Sequence, residues 1–141
     1  MSSGPAPDPA RAVFILALRV YWEDTDASGV VYHANYLRWY ERARSEWLAA
    51  RGLDQERLRV EQGLAFTLAG IEVSYRRPAR LGDALRVTVD RIEQGRASLV
   101  FEQSIWRGED CLSRCRARAG CVEAQGFRPR PLPGFFHPGS A

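Results

Sequence analysis

Two periodicities run through the apolar positions of this chain, and together they place a set of strands around one helix. Between about Asn35 and Arg51, residues Tyr36, Leu37, Tyr40, Ala43, Trp47 and Leu48 recur at the i, i+1, i+4, i+7, i+11, i+12 spacing of one helical face. Arg38, Glu41, Arg42, Arg44, Ser45 and Arg51 occupy the other face, and Gly52 stands where a left-handed residue ends a helix. This is the only pattern that predicts a long helix. Asp54 to Gln62 predicts a shorter one, stopped by Gly63.

Elsewhere the period is two. Val13 to Trp22 is rich in β-favouring residues and reads as a strand. Ile71, Val73 and Tyr75 alternate with Glu72, Ser74 and Arg76 until Pro78 breaks the run. After the loop Pro78 to Asp83, Leu85, Val87 and Val89 alternate with Arg86, Thr88 and Asp90. Gln94-Gly95 reads as a hairpin turn, followed by Ala97, Leu99 and Phe101 on one face. Beyond the tight connection Gly108-Glu109-Asp110, the last strand is expected to put Cys111, Cys115, Ala117, Ala119 and Cys121 on one face and Arg114, Arg116 and Arg118 on the other. A face of small residues lets a sheet come close to a helix. Short turns between successive strands imply antiparallel pairing, so the expected class is α+β, with the helix covering one face of the sheet. Residues 1–11 read as a Ser/Gly/Pro-rich lead-in without the basic start and apolar stretch of a signal peptide. Residues 12–125 read as one domain, and 126–141 as a Pro/Gly-rich tail, extended or disordered.

Composition narrows the class. At 141 residues and 45% hydrophobic, the chain has the size and content of a single domain with its own core. The longest uncharged apolar run, Ala12 to Leu18, falls well short of the ~18 residues a membrane helix needs, so no integral membrane segment is expected. All 20 basic residues are arginine and the net charge is +3. No basic block of the kind that binds nucleic acid occurs; the mild excess suits an anionic small molecule at most. Cys111, Cys115 and Cys121 form no C-x-x-C, have no histidine nearby in sequence, and lie too far apart along a strand to bridge. They are expected to be reduced and buried, which suits the cytoplasm, and no metal site is expected of them.

The segment Tyr21-Trp22-Glu23-Asp24-Thr25-Asp26-Ala27-Ser28-Gly29-Val30-Val31-Tyr32-His33-Ala34-Asn35-Tyr36 carries the candidate chemistry. It sets carboxylates, a glycine, a histidine and an asparagine between a strand and the start of the long helix. A helix start offers unpaired N–H groups and a positive dipole end, the parts of an oxyanion site, with a carboxylate beside it as base or nucleophile. The same residues also suit a turn with its caps, and the spacing alone does not choose between the two.

Asp24-Thr25-Asp26-x-x-Gly29-Val30-Val31-Tyr32-His33-x-Asn35-Tyr36, then Tyr40-Glu41-x-Ala43-Arg44 and Arg77-Pro78-Ala79-x-Leu81-Gly82-Asp83, closely resembles the 4-hydroxybenzoyl-CoA thioesterase family, nearest its Tol-Pal-associated acyl-CoA thioesterases. The resemblance runs from about Arg19 to Arg118. It implies a hotdog fold, an antiparallel sheet wrapped around one long helix, with two subunits joined sheet edge to sheet edge as a homodimer or homotetramer. It implies hydrolysis of an acyl-CoA to free acid and CoA, with CoA as part of the substrate and no separate cofactor. Asp26 then matches the family's catalytic aspartate, either attacking the carbonyl or activating water. The backbone N–H of His33 would be an oxyanion donor and its ring an auxiliary group. Tyr32 would shape the acyl pocket, Arg77 and Arg80 would meet the CoA phosphates, and Asp24 would be structural. Ser28 departs from the pattern, since close relatives commonly have glycine there. A hotdog hydratase or dehydratase, or a non-catalytic acyl-thioester or protein-binding module, is the alternative.

Overall fold

The computed structural model describes residues 6–134. Its centre is α1, Ala34–Ala50, followed by α2, Gln55–Gln62. Five strands, β1 Phe14–Arg19, β2 Leu64–Tyr75, β3 Ala84–Gln94, β4 Ser98–Arg107 and β5 Asp110–Glu123, form one sheet in the order β1-β3-β4-β5-β2. Every pairing is antiparallel. The run β3-β4-β5 is a meander; β1 closes its near side and β2 its far side, so β1 and β2 are the outer strands.

The helical periodicity finds its counterpart here. Tyr36, Trp39, Tyr40, Ala43, Trp47 and Leu48 are buried in one core with Leu85, Val87 and Val89 of β3, Leu99, Phe101 and Ile105 of β4, and Cys115, Ala117 and Cys121 of β5. Polar groups at this interface are paired. The Tyr40 hydroxyl donates to Ser113 Oγ at 2.7 Å, and Arg44 donates to Gln103 Oε1 at 2.9 Å. Gln103 in turn donates to the Tyr40 carbonyl at 3.1 Å. Gly63 ends α2 in the left-handed conformation, φ 66°, as its position implied.

The structure corrects the sequence reading at several points. The first strand stops at Arg19, and Trp22–Asp24 is a 3-10 turn, because the Asp24 carboxylate folds back onto the Tyr21 N–H at 2.8 Å. Strand β2 begins at Leu64, before the alternation starts at Ile71, and carries a bulge between Leu68 and Gly70. Leu37, counted into the helical stripe, is exposed, and Trp39 takes the core position instead. A bulge between Ile105 and Trp106 leaves Leu112 as the extra residue of β5. That shift buries Leu112 in the core and leaves Cys111 only partly buried, off the face of Cys115 and Cys121. The beginning of the Pro/Gly-rich segment is extended and held: Arg130 N–H donates to the Cys121 carbonyl at 2.9 Å, Leu132 N–H to the Arg96 carbonyl at 2.8 Å, and the Leu132 side chain enters the core. Residues 1–5 and 135–141, the ends of the two expected terminal segments, lie outside the described residues. Among the described residues no helix is long and apolar enough to cross a membrane.

Candidate active site

The acidic loop between β1 and α1 is tied down from both sides. Asp24 acts through its backbone as much as its side chain: its carbonyl accepts the Tyr32 N–H at 2.9 Å and the Asn35 side-chain amide at 2.9 Å. With the carboxylate occupied by Tyr21, Asp24 serves the turn. Thr25 and Val31 form an isolated antiparallel bridge, and Val30 forms another with Arg80. The 78–83 loop thereby becomes a wall of the site. Val31 N–H donates to the Ala79 carbonyl at 2.9 Å, and Ala79 N–H donates to the Tyr36 hydroxyl at 2.8 Å. Arg107 fixes the same loop from β4, reaching Asp83 at 2.8 Å and the Pro78 carbonyl at 3.1 Å.

Asp26 sits at the exposed tip of this loop, and its backbone is fixed by Asp26 N–H to the Val30 carbonyl at 2.9 Å. Gly29, at φ 85°, supplies the left-handed residue that the reversal requires. One carboxylate oxygen, Oδ1, accepts both the Ser28 hydroxyl and the Ser28 N–H, the latter at 2.8 Å. The Ser28 hydroxyl, then its N–H, and then the charge of His33 hold this carboxyl below the usual aspartate value. Asp26 is therefore ionised at neutral pH, with Oδ2 left for chemistry among the described residues.

At the helix start, His33 is the N-cap and makes no side-chain cap bond. The first carbonyls of this turn are engaged: Asn35 N–H donates to the Tyr32 carbonyl at 2.9 Å and Tyr36 N–H to the His33 carbonyl at 3.2 Å. The N–H groups of His33 and Ala34 meet no acceptor among the described residues. Two donors at a helix N-terminus, close in sequence to an ionised carboxylate, can stabilise an oxygen that gains negative charge.

Of the other expected site residues, Tyr32 is exposed and its ring lies tilted beside that of His33, centroids 4.7 Å apart. Arg80 is exposed on the wall beside Val30, whereas Arg77 lies 3.5 Å from Asp110 across the turn. Asn35 holds the loop, the hydrogen-bonding role its place in the segment suggested, whereas sequence reasoning missed two contributors: Ser28 binds the candidate aspartate, and Tyr75 donates its hydroxyl to the His33 carbonyl at 3.2 Å. Tyr75 carried the alternation of a strand, and nothing in that pattern marked its contact with the helix start.

Two cavities lie away from this loop. One of about 440 Å³ is a corner between α1 and α2. The other, about 230 Å³, lies between α1 and the outer strand β2, lined by Arg44, Leu48, Phe66, Leu68 and Phe101 among others. Asp26 borders neither and faces open surface in the single chain. Among the described residues no group of three or more His, Cys, Asp or Glu side chains is placed to hold a metal ion.

Comparison with known proteins brings this geometry into a family context. The sequence profile of the thioesterase-like superfamily matches residues 20–137. An acyl-CoA thioesterase YbgC from Haemophilus influenzae is 40% identical over 120 residues, covering 85% of this chain and 88% of that protein. The acyl-CoA thioester hydrolase YbgC of Escherichia coli O157:H7 is 41% identical over 122 residues, covering 86% and 90%. A probable thioesterase from Bartonella henselae, solved by crystallography, superposes with a TM-score of 0.79 at 36% identity, covering 84% of this chain and 98% of that one.

Proposed function

Since this chain belongs to the thioesterase-like superfamily, with its hotdog fold, we propose that it is a hydrolase of acyl-CoA thioesters, releasing free acid and CoA, and that Asp26 carries the reaction. The observation that supports this most is the pairing of an ionised, loop-fixed Asp26 with two N–H donors at the start of α1, in a chain about 40% identical to acyl-CoA thioester hydrolases. Those relatives are acyl-CoA thioester hydrolases, and the chemistry asks for little more than these groups. The substrate carbonyl oxygen points at the His33 and Ala34 N–H groups. Asp26 Oδ2 either attacks the carbonyl carbon, giving an anhydride that water then opens, or takes a proton from the water that attacks. In both routes the C–S bond breaks and the thiolate leaves, needing little protonation because a thiol is a far stronger acid than an alcohol. The His33 ring and Tyr32 flank the reacting group, and Arg80, with Arg77 further along the loop, meets the CoA phosphates.

We assign the chain to the 4-hydroxybenzoyl-CoA thioesterase family, nearest its Tol-Pal-associated branch, on the Asp24 to Tyr36 motif and the Tyr40 to Arg44 continuation. Residues 12–125, with the docked segment that carries Leu132 into the core, form the catalytic domain in this reading, and the reduced cysteines suit a cytoplasmic protein. The exposure of Asp26 on an open surface, with a cavity beside outer strand β2, supports a site completed by a second copy paired along that edge.

The test is thiol release from short-chain, long-chain and aromatic acyl-CoAs by the parent and by Asp26→Asn. Asn keeps the size and one hydrogen-bonding oxygen but removes the charge. A positioned general base contributes roughly 10²–10⁴-fold, so kcat falls at least that far while KM changes little. A folded Asp26→Asn that retains activity within a few-fold of the parent defeats the proposal. An inert parent that still binds CoA favours a binding module.

A further inference from the structure

The hydroxyl of Tyr75 touches the proposed oxyanion site from behind. Tyr75 is the last residue of β2, and the chain beyond it is turned back sharply: the N–H groups of Arg76 and Arg77 both donate to the Leu112 carbonyl, at 2.8 and 3.2 Å. That clamp holds Tyr75 opposite Ser113 in the β2–β5 register. From there its ring packs edge-on against Tyr36, centroids 5.1 Å apart and planes at 70°, and against His33 at 6.2 Å and 85°. Its hydroxyl donates to the His33 carbonyl at 3.2 Å.

The chemical consequence lies in the peptide that this carbonyl belongs to. The His33 C=O and the Ala34 N–H are two ends of one conjugated amide. The carbonyl already accepts the Tyr36 N–H, at 3.2 Å, and the Tyr75 hydroxyl is a second donor on the same oxygen. Donation to an amide oxygen polarises the amide and makes its N–H a stronger donor, an effect of about 10–30% per bond in a hydrogen-bonded chain. The Ala34 N–H is one of the two donors without an acceptor at the helix start. The bond also fixes the plane of that peptide, and with it the direction of the N–H.

We propose that Tyr75 is a positioning residue for thioester hydrolysis, orienting and polarising the His33–Ala34 peptide so that the Ala34 N–H serves as the second oxyanion donor beside the His33 N–H. This rests on the reading of Asp26 and the helix start as the catalytic site. Tyr75 does not touch the substrate in this role. It acts on the transition state alone, because a stronger donor matters most when the carbonyl oxygen carries a full charge.

Tyr75→Phe isolates the effect, since it keeps the ring and its contacts with Tyr36 and His33 and removes only the hydroxyl. Deleting a direct oxyanion donor costs about 10²–10³ in kcat. An indirect one is expected to cost about tenfold, with KM within about twofold of the parent and an unchanged melting temperature. Replacing Tyr75 with 3-fluorotyrosine, a more acidic phenol of nearly the same shape, restores kcat at a pH where it stays protonated. A Tyr75→Phe enzyme with parental kcat overturns the proposal, as does a kcat loss matched by a rise in KM or a fall in melting temperature. Asp26→Asn is measured alongside. If that variant keeps its activity, the catalytic site itself has been misplaced; if it is inactive while Tyr75→Phe equals the parent, only the role of Tyr75 fails.

Discussion

Two aspartates two positions apart in sequence have different surroundings, and those surroundings set their roles. Asp24 spends its carboxylate on the Tyr21 N–H and its carbonyl on Tyr32 and Asn35, so Asp24→Asn is expected to lower thermal stability more than kcat. Asp26 keeps one oxygen uncommitted, and under the proposed mechanism its neutralisation is expected to remove most of the turnover. Ser28 tunes it. The serine hydroxyl and N–H favour the carboxylate over the acid, so the carboxyl lies below its ordinary value. The ionised form therefore persists to lower pH, and the acid limb of kcat/KM is expected below the ordinary aspartate value. Ser28→Ala removes the hydroxyl donor and leaves the N–H. The limb then moves up in pH, towards the ordinary value, as a kcat/KM–pH profile will register; a limb that stays in place shows that Ser28 does not set it.

At the scale of elements, the approach of α1 to the sheet depends on small side chains. Ala43 on the helix and Ala117 on β5 are both fully buried in the shared core. Ala117→Leu adds three carbons where there is no room, and overpacking of this kind costs about 1–3 kcal/mol, measurable by denaturant unfolding of the intact protein. This small-residue face was legible in the sequence, and so was α1, because a long amphipathic helix against one sheet writes its period plainly. The first half of β2 was not. Leu64, Phe66 and Leu68 alternate only with the small Ala65, Thr67 and Ala69, a weak contrast, because this part of the outer strand is no more than partly covered on either face. Bulges carry no local signal, which is why Cys111 was placed on the wrong side. The site divided the same way. Asp26 and the His33 N–H were legible through a motif continuous in sequence, whereas Tyr75 meets His33 only after the sheet has formed across 42 positions.

For the whole molecule, the outer strand β2 presents an unpaired edge that a second copy can continue, next to the cavity between α1 and β2. Sedimentation is expected to show a dimer or a dimer of dimers, and a fully active monomer at micromolar concentration refutes an edge-paired site. The buried cysteines give the intact fold a built-in clock. Burial pushes the Cys115 thiol up to about 12 and raises Cys121 and Cys111 as well, so each is a poor nucleophile while the core is closed. An aromatic disulfide reagent at pH 8 should therefore find Cys111, the half-buried one, first, and reach Cys115 and Cys121 only when the sheet parts from the helix. The pace of that second phase times global opening without any added label. It also leaves the colour of such a reagent, during catalysis, to report the released CoA rather than the enzyme; rapid parental labelling of all three thiols would show that the core opens far more often than its packing implies.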